Sequence, residues 1–416
     1  MNSHLQRMLE SMIIRGNLAI TDAQGNKHVF GDGSGEPVHV HIHSSSLYWK
    51  LAFNPDLHLG EAYMDGTLEM KQGTIADLLM LVAEQLNYSV SENWRPVDWL
   101  NYYARKISTF NPVGRAQKNI AHHYDLSGAL YDLFLDRDRQ YSCAYFEHPD
   151  QSLEEAQLAK KRHLAAKLAL EPGMRVLDIG SGWGGLALYL AEMCDVDVTG
   201  VTLSEEQHKI SRQRVENRSL GHKVDIRLED YRLLDEKFAR IVSVGMFEHV
   251  GLAHFNEYFL KVKELLTDDG AAVIHTIGRP HGPAATSKWI QKYIFPGGYI
   301  PALSEMVPAI ETSGLYACDV EMLRLHYAET LKAWRERFVH HWDRAAEIYD
   351  ERFCRMWEFY LAASEMAFRG EGLNILQIQI ATHQNVLPLT RDYIGEAENA
   401  LRKGDQKARR PKSVSR

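Results

Sequence analysis

The sequence predicts an α/β protein: a parallel sheet clothed by helices on both faces, a smaller N-terminal α+β unit and a helix-rich apolar segment near the C-terminus. Three observations carry this. Short apolar strands alternate with helical patterns from about residue 153 to 276, a glycine turn ends the first of those strands, and residues 1–105 contain no such turn. The alternation runs Leu153–Leu170 (helix), Arg175–Ile179 (strand), Leu186–Met193 (helix), Val196–Thr202 (strand), Ser204–Arg218 (helix), Val224–Arg227 and Ile241–Gly245 (strands), His254–Leu266 (helix) and Ala271–Thr276 (strand). Ligands in such sheets gather at the carboxyl ends of the strands. Gly180, Thr202, Asp230, Phe247 and His275 fall at or just past those ends, so they can converge.

Before this body, His39-Val-His-Ile-His43 alternates like a strand and Thr74 to Leu86 reads as a helix. On a strand His39, His41 and His43 share one face. With no fourth ligand nearby they read as a polar sheet face, and no metal site is assigned. The basic segment 106–121, with its Asn-Pro-Val-Gly turn, reads as a linker between an N-terminal domain (1–105) and a catalytic domain (122–400). After Gly278 the regularity breaks. Ser287–Phe295 and Met322–Gly370 read as helices rich in Trp, Tyr, Phe and Met, an apolar insertion at about 279–370 large enough to cover an acyl chain. Residues 401–416 carry seven basic residues and one acid, Asp405, and read as a solvated, disordered tail.

Composition narrows the class. The apolar fraction of 45% suits a globular chain that buries a core, and the net charge of −8 argues against a nucleic-acid binder. No apolar run is long enough to span a bilayer, and the N-terminus lacks a signal-peptide pattern, so a cytoplasmic protein is expected. Cys143, Cys194, Cys318 and Cys354 are scattered without a paired spacing, against a zinc site or a disulfide scaffold.

The glycine turn is Arg175-Val-Leu-Asp-Ile-Gly-Ser-Gly-Trp-Gly-Gly185. It lacks the spacing of a dinucleotide site, and the following strand ends in hydroxyls (Thr202, Ser204) instead of an acid. It resembles the first strand of S-adenosylmethionine-dependent methyltransferases, with Asp178 as the acid before the turn. Four further segments in order, Tyr141-Ser-Cys-Ala-Tyr-Phe146, Gly245-Met-Phe-Glu-His-Val-Gly251, Val273-Ile-His-Thr-Ile277 and Leu325-His-Tyr-Ala-Glu-Thr-Leu-Lys-Ala-Trp334, are similar to the cyclopropane-fatty-acyl-phospholipid synthase family, as is Leu59-Gly-Glu-Ala-Tyr-Met-Asp-Gly66. Ser181 stands where many members carry Cys.

The resemblance implies a Rossmann-like class I methyltransferase sheet with a lipid-binding helical lid. It also implies a peripheral-membrane enzyme, dimeric like its longer relatives, that uses S-adenosylmethionine on phospholipid acyl chains. An alkene attacking a methyl sulfonium leaves a carbocation, and a proton must leave before a three-membered ring can close. Aromatic faces stabilise such a cation without trapping it, by roughly 0.5–2 kcal/mol each; Tyr124, Tyr141 and Tyr327 match family tyrosines. The base implied is a bound bicarbonate, held by Glu248, His275 and Tyr327 and by main-chain groups of Cys143 and Ile277. For the cofactor, Gly180, Gly182, Tyr141 and Ser142 are expected at the amino-acid end, Thr202, Leu203, Ser204 and Gln207 at the ribose, and Glu229 and Asp230 near the adenine; Asp230 could instead cap a turn. Alternatives stay open: a methyl-branched product, a small-molecule N-methyltransferase, or a non-catalytic lipid-binding protein.

Overall fold

The computed structural model describes residues 1–88 and 127–409. The 106–121 linker, the boundary at 105 and Tyr124 lie outside the described residues. The N-terminal unit comprises α1 (Ser3–Met12), β1 (Leu18–Thr21), β2 (Lys27–Phe30), β3 (Val38–Ile42), α2 (Ser46–Phe53), α3 (Pro55–Met64), β4 (Leu68–Gln72) and α4 (Ile75–Tyr88). Its strands form one sheet in the order β2-β1-β3-β4. Along β3, Val38, Val40 and Ile42 are buried while His39 and His41 alternate outward. His39 hydrogen-bonds Thr21 Oγ1 at 2.8 Å and His43 bonds Glu69 at 3.0 Å. His41, His43 and Glu69 bring ligand-type atoms within 4.8 Å of one another, but Lys71 Nζ already lies 2.7 Å from the Glu69 carboxylate.

The body continues with α5 (Gly128–Phe134), α6 (Leu153–Lys167), β5 (Arg175–Ile179), α7 (Gly185–Cys194), β6 (Asp197–Thr202), α8 (Glu205–Asn217), β7 (Val224–Leu228), β8 (Phe238–Val244), α9 (Phe255–Leu265) and β9 (Leu266–Gly278). It ends with α10 (Lys288–Tyr293), α11 (Leu303–Ser313), β10 (Tyr316–Leu323), α12 (His326–His340), α13 (Trp342–Ile348), α14 (Glu351–Gly370), β11 (Asn374–Ala381) and α15 (Asp392–Arg409). Seven strands line up as β10-β11-β9-β8-β5-β6-β7, with β8 central and β5 beside it. The pairs β5–β6, β5–β8, β6–β7 and β8–β9 are parallel, and β11 runs against both of its neighbours. Strands covered on both faces bury nearly every residue, so Asp178 of β5 and Gln377 and Gln379 of β11 are buried along with their apolar neighbours. Helix α6 starts at a capping box, Ser152 with Glu155.

Three expectations need correction. The predicted helical insertion is not continuous, because β10 interrupts it and pairs with β11 at the edge of the sheet; β11 in turn is buried by pairing with β9, which no local periodicity reports. Phe247 does not reach the strand-end crevice; it is buried against Phe255, Tyr258 and Phe259. The basic tail is helical as far as Arg409: Asp405 is buried against Arg162 at 2.7 Å, and Arg402 pairs with Glu147. Acids elsewhere in the fold supply the partners that its own composition lacks.

The N-terminal unit and the helical segment share one core, running from Leu5 and Ile20 to Trp289, Trp334 and Trp357. Helices α3 and α4 pack on α14, and α3 also packs on α10. Contact is closest at two glycines. A Cβ on Gly60 would sit 2.4 Å from Trp289 Nε1, and one on Gly370 would sit 2.5 Å from the Ala83 Cβ. Polar bonds frame this seam: Glu61 accepts from Lys292 Nζ (2.7 Å) and Tyr293 Oη (2.9 Å), Asp56 accepts from the Lys288 N–H (2.7 Å), and Tyr63 Oη donates to buried Glu358. The Leu59–Gly66 motif is therefore the face that meets the helices over the sheet.

Candidate active site

Two pockets meet at the carboxyl end of the sheet. The first is a crevice at the β5–α7 turn. Gly180, Gly182 and Gly184 take φ values of +83°, +55° and +77°, which side chains with a Cβ rarely adopt. The Gly180 and Ser181 N–H groups donate to the Val201 carbonyl at 3.0 Å, so the turn is tied to β6. A Cβ on Gly182 would meet nothing within 4 Å, so that face of the turn opens onto the crevice.

The crevice is lined by Tyr141, Ser142, Gly180, Gly182, Thr202, Leu203, Gln207, Glu229 and Asp230, together with Asp178. Ser204 is the exception among the expected cofactor residues. It is buried behind the wall, where its Oγ caps α8 by accepting from the Gln207 N–H at 3.3 Å. Gln207 in turn receives the Thr202 hydroxyl at 2.9 Å, so the serine sets the helix start that aims this pair. Asp230 does both things the sequence allowed: it lines the crevice and caps a short 3₁₀ turn, while its carboxylate pairs with Arg232 at 2.7 Å. Burial pushes the Asp178 carboxyl up to about 7.

Lys160 on α6 is a residue that sequence reasoning missed. It is fully buried, and its Nζ donates to Gln140 Oε1 and Ser142 Oγ at 2.7 Å each, which pins the Gln140–Ser142 segment over the crevice. Burial holds this ammonium down to about 8. In sequence it sits in Lys160-Lys-Arg162, which looks like a solvated face.

The second pocket is a larger, mostly apolar chamber roofed by α3, α4, α10, α12 and α14, with Leu59, Val82, Trp289, Phe295, Leu331 and Phe368 among its walls. Cys143, Glu248, His275, Ile277 and Tyr327 all line it. Glu248 Oε1 accepts from the Ile277 N–H at 2.6 Å, so that amide orients the carboxylate. Glu248 Oε2 and His275 Nε2 are buried with no hydrogen-bond partner among the described residues. Burial raises the Glu248 acid and holds the His275 imidazole well below its ordinary value, the latter helped by Lys160 and Lys167. Cys143 is buried, its thiol donates to the Ala144 carbonyl and its pKa is pushed up, so it stays a thiol. His275 lies within β9, which runs on to Gly278, but it pairs with Val244 at the end of β8 and so faces the same level. Tyr141 stacks on Trp334 and hydrogen-bonds Tyr360 at 2.9 Å.

Tyr141, Ser142, Gly245 and His249 line both pockets. A crevice at the glycine turn of a seven-stranded sheet with one reversed strand, opening beside a more apolar chamber, defines a Rossmann-like S-adenosylmethionine-dependent methyltransferase. The family described as mycolic acid cyclopropane synthetase matches residues 113–378, a domain of unknown function matches residues 5–93, and the chain belongs to the cyclopropane synthase family. It is 38% identical over 94% of its length to a "Probable fatty acid methyltransferase" of Pseudomonas putida, covering 99% of that protein. It is 39% identical over 82% of its length to the cyclopropane-fatty-acyl-phospholipid synthase of Escherichia coli K12, covering 87% of it. The crystal structure of mycolic acid cyclopropane synthase CmaA1 with SAH and CTAB superposes with a TM-score of 0.62 at 33% identity, covering 65% of this chain and 99% of that one. Coclaurine N-methyltransferase, at 18% identity and a TM-score of 0.64, shares the fold alone.

Proposed function

We propose that the protein transfers the methyl carbon of S-adenosylmethionine to the cis double bond of an unsaturated phospholipid acyl chain and closes a cyclopropane ring. One observation carries the reading: the cofactor crevice and an acyl-sized apolar chamber share the wall formed by Tyr141, Ser142, Gly245 and His249. A methyl group passing between them crosses a wall of the protein, and a reactive sulfonium needs such shielding from bulk water. The faces of Tyr141 and Tyr327 offer a developing carbocation stabilisation without a nucleophile.

Two buried atoms without a hydrogen-bond partner among the described residues, Glu248 Oε2 and His275 Nε2, suit a small oxyanion: one accepts its hydroxyl proton and the other donates to its oxygens. Glu248, His275 and Tyr327 would hold bicarbonate there. When bound, bicarbonate supplies the base for the ring-closing proton. A buried carboxylate held back by Ile277 is less able to collapse onto the cation as an ester.

Action at a membrane surface and assembly as a homodimer belong to the same proposal. Among the described residues no helix is long and apolar enough to cross a membrane. Supporting the surface reading, Trp49 and Phe53 are 53% and 73% exposed on α2, whose last residue, Phe53, lies two before Pro55 of the chamber lining. A second reading, methyl transfer without ring closure, is favoured by the long match to a protein named as a fatty acid methyltransferase. Mass spectrometry of lipids from expressing cells tests both. A gain of one methylene with loss of a double bond by a ring-specific fragmentation supports the first reading, a branched methyl chain replaces it with the second, and unaltered acyl chains sink both.

A further inference from the structure

We propose that Gln377 is a positioning residue whose side-chain amide donates to His275 Nδ1 and so fixes the imidazole tautomer that presents an Nε2–H to the chamber. The antiparallel β9–β11 register sets Gln377 directly opposite His275. Both are buried, at 0% and 1% exposure, and the Gln377 amide nitrogen lies 3.1 Å from Nδ1. An amide nitrogen has only protons to offer, so Nδ1 must present its lone pair, and a neutral ring then carries its proton on Nε2. The ring is neutral because burial and the nearby Lys160 and Lys167 disfavour the imidazolium.

The purpose of this arrangement rests on the oxyanion reading above. A bare Nε2 would turn a lone pair toward the anion, whereas an Nε2–H donates to it. Turned the other way, the amide would put its oxygen against the ring, demand a proton on Nδ1 and leave Nε2 unable to donate. The two orientations therefore predict opposite chemistry at one atom, Nε2, which has no hydrogen-bond partner among the described residues.

The test is nitrogen NMR of the full-length protein with ¹⁵N-labelled histidine near neutral pH, the His275 signals being assigned by their loss in His275→Asn. An unprotonated Nδ1 and a protonated Nε2 are expected; a protonated Nδ1, with Nε2 either bare or protonated, overturns the proposal. Gln377→Glu places an acceptor there and should draw the proton to Nδ1. Gln377→Met keeps the length without the donor. It should raise the bicarbonate concentration for half-maximal activity roughly three- to tenfold, the worth of one hydrogen bond, with SAH affinity unchanged. Unmoved tautomer and bicarbonate demand in both variants would also overturn it. Should wild-type activity prove indifferent to bicarbonate while the expected tautomer is seen, the base reading falls and the assignment of Gln377 to the tautomer stands.

Discussion

The cofactor crevice is lined by one run of chain, Arg139 to Glu257, whereas the chamber beside it draws on Pro55 to Val82, on Tyr141 to His249 and on His275 to Ile375. The crevice depends on backbone: positive-φ glycines, strand ends and a helix start. The chamber depends on side chains from elements far apart in sequence, held together by one apolar core and two glycine contacts. A local site is easily damaged by a single backbone change, and a site assembled by packing fails by loosening. Variants on the two sides of the shared wall should therefore separate cofactor binding from lipid chemistry.

The largest effect is expected on the crevice side. Gly182→Val forces a β-branched residue to φ +55° and pushes its side chain into the open crevice. Calorimetry with SAH should record at least an about hundredfold loss of affinity, a cost of roughly 3 kcal/mol, while the circular dichroism spectrum keeps its shape. Native affinity in the folded variant would remove the crevice assignment. On the chamber side, Glu248→Gln replaces an acceptor with a donor. Losing one charge-assisted bond of roughly 1.5–3 kcal/mol should lower turnover on the order of ten- to a hundredfold, with SAH affinity intact. Assays in carbon-dioxide-depleted buffer should show the variant needing more bicarbonate; full wild-type activity without any would make Glu248 the candidate base.

The same contrast explains what could be read in advance. The strands from Arg175 to Thr276 and the glycine turn were legible because apolar period, turn chemistry and strand–helix alternation are local signals. Glu248, His275 and Tyr327 were legible only through their segments' likeness to a family. Lys160 was not, because a buried lysine and a solvated one look alike until the burial is known. Gln377 was hidden in a strand whose burial comes from pairing with β9, and Asp405 in a tail whose partners, Arg162 and Glu147, lie about 240 and 250 residues earlier. Ser204 shows the reverse error: a hydroxyl at a strand end looks like a ligand group when it is a helix cap.

The seam of the chamber gives the next effect in size. Gly60→Val would drive its side chain into Trp289 and Phe359, and overpacking of this kind costs roughly 1–3 kcal/mol. Parting α3 from α10 and α14 should reduce turnover on long-chain lipid by about tenfold and lower the melting temperature by a few degrees. SAH affinity should not change, since no crevice residue lies on that seam. A variant that lost cofactor and lipid turnover together would mean the two pockets are mechanically one unit, and the contrast drawn above would fail.

The smallest effect concerns protons on the crevice side. The Asp178 carboxyl, buried and with a pKa pushed up to about 7, has a folded-state value above its ordinary 3.8. Ionising it therefore costs stability; the cost is absent below pH 3.8, grows as pH rises and is complete above about 7. A bound cation offsets that cost, so binding S-adenosylmethionine should pull the Asp178 proton off. Affinity should then be weaker at pH 6 than at pH 8, by up to about tenfold for one proton over one pH unit. Lys160, held down to about 8, stays largely protonated at pH 6 and can contribute only at the upper end. Asp178→Asn should flatten the profile and weaken binding at pH 8. Chamber variants such as Glu248→Gln should leave the slope as it is, because their groups titrate on the other side of the wall. Calorimetry at the two pH values decides it: a flat wild-type profile would mean that Asp178 does not feel the cofactor's charge, and the crevice would then owe its binding to backbone geometry alone.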